Sequence, residues 1–173
     1  MARAVYLLRG INVGGRSVVK MADLRAIATG LGFEDVETYV QSGNLIATVD
    51  GPVGDAGERL REAIAASTSV APAIASRTAA QMRSVVERCP FDDTDNVHVS
   101  FLVDGAHRMA PTVHPSDFEP EKWAVGGRQT YLLLPDGIGR SKLAAAFANG
   151  RFGAASTVRN WRTVSTIAAR ANS

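Results

Sequence analysis

This chain of 173 residues predicts an α+β fold of two lobes. Three observations lead there. Apolar residues recur every second position in some segments and every three to four in others, so both strands and helices form. Over residues 4–76 these segments run strand, helix, strand, strand, helix, strand, the order of a ferredoxin-like unit. The second half partially echoes the first from its hairpin onward and ends in two helices, without a repeat of sequence. The expected division is 1–77 and 78–173 in one compact unit without a flexible linker, and a 46% hydrophobic composition fills its core.

The elements follow in order. Residues 4–8 read as a strand, followed by a glycine-rich loop and a helix whose Met21, Leu24, Ile27, Ala28 and Leu31 share one face. Residues 36–40 and 45–49 form a hairpin around Ser42-Gly43-Asn44. Asp55 and Glu58 have capping-box spacing and open a helix through Leu60 and Ile64. Residues 72–76 are expected as an edge strand, since Pro72 cannot donate to a central ladder. Thr78 and Gln81 form the next capping box, and Pro90 stops the helix that carries Met82, Val85, Val86 and Cys89.

Val97, Val99, Phe101 and Val103 alternate along a half-buried strand. A proline-rich connection over 111–120 places Ser116 and Glu119 at capping-box spacing, and residues 123–134 read as a second hairpin turning at Gly126-Gly127. Helices are expected over about 141–148 and 159–171.

Composition excludes several classes. The apolar run between Arg3 and Arg9 is too short for a signal peptide or membrane span, and the one cysteine, Cys89, excludes an internal disulfide. No metal-ligand spacing or identifiable cofactor motif occurs: the Gly-x-Gly-x-x-Gly and phosphate-loop patterns are both missing. A cytoplasmic protein without membrane partners is the expectation.

Charge is segregated within a net of only +2. Residues 1–33 hold Arg3, Arg9, Arg16, Lys20 and Arg25 against Asp23. Residues 123–173 hold seven cations against Asp136, which leaves the middle acidic. If the two ends pack together, they form a positive face for phosphates or carboxylates.

Four polar motifs fall at element edges: Arg9-Gly10-Ile11-Asn12-Val13-Gly14-Gly15, Gln41-Ser42-Gly43-Asn44, Ser141-Lys142 and Thr157-Val158-Arg159-Asn160-Trp161. In the first, Gly14 and Gly15 free the backbone to approach a ligand, flanked by Arg9 and Lys20; equally, Asn12 can serve only the local backbone. Ser141 caps a helix whose N-terminal N–H groups and Lys142 favour an anion. Thr157 suits a helix cap, which would place Arg159 and Asn160 in a first turn where a cation calls for an anionic partner, either a ligand or an internal carboxylate. The candidate ligand-binding set is therefore Arg9, Asn12, Gly14, Gly15, Lys20, Gln41, Ser42, Asn44, Ser141, Lys142, Arg159 and Asn160. These residues name no catalytic group.

The motifs, together with Lys20-Met21, Leu31-Gly32-Phe33, Thr38-Tyr39, Pro90-Phe91, Tyr131 and Thr163, resemble the domain-of-unknown-function family 1697 along nearly the whole chain. The resemblance implies a two-lobed α+β fold with ferredoxin-like features, found mainly in bacterial cytoplasmic proteins, and no established activity. Cys89 stands where the family usually has asparagine, and Ala47 where it has a larger apolar residue.

Three functions follow. The leading expectation is binding of a phosphate-bearing or other anionic ligand, a nucleotide or nucleic acid, in a basic cleft between lobes. Sequence-specific RNA readout is disfavoured because no strand interleaves exposed aromatics. A small transferase or hydrolase would use the same cleft, with Arg9, Lys142 and Arg159 stabilising negative charge. A protein-interaction module, for example a homodimer, would use the motifs only as caps and turns. Ligand-binding roles for Lys142 and Arg159 predict that their removal spares folding; structural roles predict a lower melting temperature.

Overall fold

The computed structural model describes every residue except Arg16 and Met109. Arg16, counted above among the N-terminal cations, thus lies outside the described residues. The first half comprises β1 (Ala2–Leu8), α1 (Met21–Gly30), β2 (Glu34–Tyr39), β3 (Asn44–Val49), α2 (Val53–Ser67) and β4 (Ile74–Thr78). Its antiparallel sheet has the order β2-β3-β1-β4, which is ferredoxin-like, with β4 at an edge.

The chain continues through α3 (Ala79–Glu87), β5 (Val97–Leu102), β6 (Lys122–Gly126), β7 (Gln129–Leu133), α4 (Lys142–Ala148), β8 (Ser156–Asn160) and α5 (Trp161–Ala171). The second antiparallel sheet, β6-β7-β5-β8, repeats the spatial order of the first. Where the first half has α1, the second has an irregular connection with a short 3₁₀ turn, Pro115–Phe118. Prolines 111, 115 and 120 in that connection lack the N–H a regular helix needs.

Period-two alternation in β1 explains the layering. Ala4, Tyr6 and Leu8 pack with α1 and α2, whereas Val5 and Leu7 face the opposite side. That opposite side meets Met82 and Val85 of α3, Val164 and Ile167 of α5, and Val97, Val99 and Phe101 of the second sheet. The two helices are therefore a layer shared between the sheets, and each fully buried Leu or Val there contributes about 1.5–3 kcal/mol. Leu132, Leu143, Phe147 and Phe152 form a third cluster on the far side of the second sheet.

Several expected caps move. Thr78 and Gln81 do form a capping box, the Gln81 N–H donating to Thr78 Oγ1 at 3.1 Å. In α2, however, Pro52 is the cap residue and Asp55 falls within the first turn, where its charge favours the helix dipole. Around the 3₁₀ turn the His114 N–H donates to Asp117, in place of the expected Ser116–Glu119 box.

The largest correction concerns β8, expected as the approach to a helix and found as a strand. Thr157, Val158 and Arg159 pair with β5, and the cap of α5 is Asn160, whose Oδ1 accepts from the Thr163 N–H at 2.8 Å. Ladder pairing, together with the β-branched Thr157 and Val158, outweighs the capping potential of Thr157.

Candidate functional site

Arg159 is 8% exposed, and all five of its N–H groups are used. Nε donates to Asn44 Oδ1 at 2.6 Å; Nη1 donates to Thr157 Oγ1 and the Val158 carbonyl; Nη2 donates to the carbonyls of Leu8 and Ser42. Every acceptor is formally neutral, so Arg159 satisfies neither alternative read from the sequence, an internal carboxylate or a free donor set for a ligand. Burial draws its pKa down to about 10, which leaves it charged at neutral pH.

The glycine loop and the hairpin tip are fastened to that guanidinium. Asn12, in the left-handed region at φ 55, donates from Nδ2 to the carbonyls of Val19 and Gln41 and accepts from the Val19 N–H, closing the loop onto the hairpin. Asn44 is fully buried; its Nδ2 donates to the Tyr39 carbonyl and to Ser42 Oγ while its Oδ1 receives Arg159. Between them, Gly43 has φ 76, and a Cβ there would lie 2.6 Å from Ile11 Cδ1. No side chain fits that crossing.

At α4, Ser141 caps as expected, its Oγ accepting from the Ala144 N–H at 2.8 Å. The helix start is not left free for an outside anion, because the buried Glu121 carboxylate accepts from the Leu143 N–H at 2.9 Å. The chain supplies its own anion where the sequence suggested a phosphate.

What remains open is a cleft of about 830 Å³ between the halves. Arg9, Gly10 and Val13 of the glycine loop form one wall; Ser141, Ala144 and Phe147 form the other; β8 supplies Ser156 to Arg159 along its floor. The volume lies within the range of about 300–1,000 Å³ usual for small-ligand sites. Its described lining is largely small or apolar, with Arg9 as the exposed cation. The Arg9 side chain has no hydrogen bond or ion pair among the described residues.

Of the candidate residues, Arg9, Ser141 and Arg159 line this cleft. Asn12, Ser42 and Asn44 hold its frame from behind, with Gln41 contributing a backbone carbonyl. Gly14, Gly15, Lys20 and Lys142 are exposed and outside the described lining, while Asn160 borders a second concavity with Asp95, His98 and Arg162. Sequence reasoning missed the small-residue wall of α4 and the floor strand. Alternation in Thr157-Val158-Arg159 is too brief to identify a strand without its partner β5.

Among the described residues, no group of three or more His, Cys, Asp or Glu is arranged to hold a metal. None of their helices is long and apolar enough to cross a membrane.

Two ferredoxin-like sheets around shared helices, with a cleft between the halves, define a two-lobed α+β protein. The chain belongs to the DUF1697 family, described as proteins of unknown function, which it matches over residues 1–131. The Ser141-Lys142 and Thr157–Trp161 motifs lie beyond that matched stretch. Among solved structures, it resembles that of a conserved bacterial protein from Streptococcus pneumoniae, at 22% identity and a TM-score of 0.78 with 98% of each chain covered; this likeness shows the fold alone. No curated protein matches the chain.

Proposed function

We propose that this protein binds an anionic ligand in the cleft between its halves, with Arg9 as the receiving cation. The observation that carries this reading is an exposed arginine without a described partner at the edge of a cleft lined by small and apolar residues. A nucleotide suits that combination, with phosphate toward Arg9 and an apolar base face against Ala144 and Phe147. A single exposed lining cation among the described residues favours a small ligand over a long nucleic acid, whose affinity is built from many phosphate contacts.

Binding is favoured over catalysis because the described lining contains no His, Asp, Glu, Cys or Lys to act as a base or nucleophile. A cytoplasmic setting accompanies the proposal, in keeping with the lone free Cys89.

A thermal-shift panel of nucleotides, sugar phosphates, small carboxylates including N-acylated acidic amino acids, inorganic anions and short oligonucleotides tests it. A ligand at about 100 times its Kd adds about 2.7 kcal/mol, and a chain of this size gains roughly 2–4 °C per kcal/mol. The expected result is a selective rise in Tm that disappears in Arg9→Ala. A flat panel, or a rise unchanged in Arg9→Ala, overturns the proposal.

A further inference from the structure

The two halves use equivalent strands in the same way, with one difference at the cleft. The backbone N–H of Arg9 donates to the Ala73 carbonyl, and that of Val103 to the Ala155 carbonyl, which aligns β1 and β4 with β5 and β8. Ile74 then corresponds to Ser156, Ser76 to Val158, Arg77 to Arg159 and Gly10 to Asp104. The buried arginines support the alignment. Arg77 donates to the Ser76 and Leu102 carbonyls, just as Arg159 donates to those of Val158 and Leu8.

In an antiparallel ladder, alternate residues turn their backbone groups away from the paired strand. On β4 these outward groups are occupied by Asp104: its N–H donates to the Ile74 carbonyl at 2.8 Å, and its carboxylate accepts from the Ser76 N–H at 3.2 Å to both oxygens. Arg128 stands 3.6 Å from that carboxylate. On β8 the equivalent groups are the Ser156 carbonyl and the Val158 N–H. Both residues line the cleft, and neither group has a hydrogen-bond partner among the described residues. Gly10, in the place of Asp104, has no carboxylate to reach the Val158 N–H, and its own N–H makes no bond to the Ser156 carbonyl.

We infer that the cleft accepts an N-acylated aspartyl group. Its amide N–H donates to the Ser156 carbonyl, its carboxylate accepts from the Val158 N–H, and Arg9 supplies the cation that Arg128 supplies on the related edge. This identification of the ligand rests on the anion-binding reading above. Recognition is confined to one residue rather than an added strand, because Arg159 already occupies the Val158 carbonyl. One donor and one acceptor therefore remain along this part of the edge, the complement of a single acylated aspartate.

The test is an amide-resolved NMR titration of the full chain with N-acetyl-aspartate N-methylamide, its asparagine counterpart, adenosine monophosphate and inorganic phosphate. The aspartyl probe should shift the Val158 amide and bind about ten-fold more tightly than the asparaginyl probe, as a charge-assisted bond requires. Gly10→Asp should abolish binding by filling the site from within. The position has φ +69, which aspartate tolerates better than most residues, and open space around a Cβ. Val158→Pro provides an independent check, because it removes the one donor while leaving the ladder to β5 paired.

Equal binding of the two amino-acid probes, or aspartyl binding that persists in Val158→Pro, overturns the inference. A nucleotide response through Arg9 without an aspartyl response leaves the anion site standing and removes this identification. Silence from all four probes removes both.

Discussion

The guanidinium Nε of Arg159 donates to Asn44 Oδ1 at 2.6 Å, joining residues 115 positions apart and tying the last strand to the hairpin of the first sheet. The two Nη2 donors reach the Leu8 and Ser42 carbonyls, so one side chain fixes both the start of the glycine loop and the hairpin tip. Arg77 makes the reciprocal connection, from β4 to the Leu102 and Arg128 carbonyls of the second half. Arg159 lies in the floor of the cleft, which opens toward Arg9.

Arg159→Ala is therefore expected to destabilise the fold by about 3 kcal/mol or more, because each buried acceptor left without a donor costs about 1–3 kcal/mol before relaxation. Arg159→Lys should restore little, since an ammonium with three donors cannot reproduce the planar five-donor fork. Urea unfolding measures both. A double-mutant cycle with Asn44→Ala should give a coupling of about 1.5–3 kcal/mol, and near-additivity would show that the pair does not hold the halves together.

At Gly43 the expected effect is steric and conformational. A Cβ would meet Ile11 Cδ1 at 2.6 Å and Leu8 Cβ at 2.9 Å, in a backbone with φ 76. Gly43→Ala should cost about 2–4 kcal/mol from the left-handed conformation and overpacking together. Gly51→Ala has a similar φ but open space around the Cβ, so it isolates the conformational part. Equal urea midpoints for the two variants would remove the steric explanation.

His98 connects burial to pH. It is half-buried, its Nδ1 is among the buried atoms without a partner, and burial lowers its pKa below the ordinary value. As pH falls from about 7 through about 6.5, the unfolded chain takes up this proton before the folded one does. The His98 contribution is complete above that range and is lost as pH falls toward the folded pKa. Urea midpoints should decline on acidification, less steeply in His98→Gln, and the His98 ring should titrate below about 6.5 by NMR. A midpoint above that value would reverse the sign.

The first sheet is legible because its signals are local: a short apolar run in β1, a Ser-Gly-Asn turn, and helical stripes separated by glycines. The Thr78–Gln81 box was equally local, since both of its bonds close within four residues. The cleft was harder to read, because the roles of its residues depend on distant partners. Arg159 reads in the sequence as a cation awaiting a ligand or an internal carboxylate, whereas in the fold the neutral acceptors of Asn44, Leu8 and Ser42 take up its donors. Ser141-Lys142 looked like an anion site until Glu121, 22 residues away, reached the Leu143 N–H. Arg9 is the motif cation at the cleft whose side chain stays exposed.

That contrast separates Arg9, Lys142 and Glu121. Glu121→Ala leaves the buried Leu143 N–H without its carboxylate and should cost about 1–3 kcal/mol, seen as a lower urea midpoint. Lys142 is exposed and outside the described lining of the cleft, so Lys142→Ala should leave stability within about 0.5 kcal/mol and ligand response unchanged. Arg9→Ala should be equally neutral for stability, since its side chain is exposed and makes no hydrogen bond among the described residues, yet it should abolish the ligand-induced rise in Tm. If Lys142→Ala rather than Arg9→Ala removes that rise, the ligand sits at the outer start of α4 and the cleft between the halves is not its site.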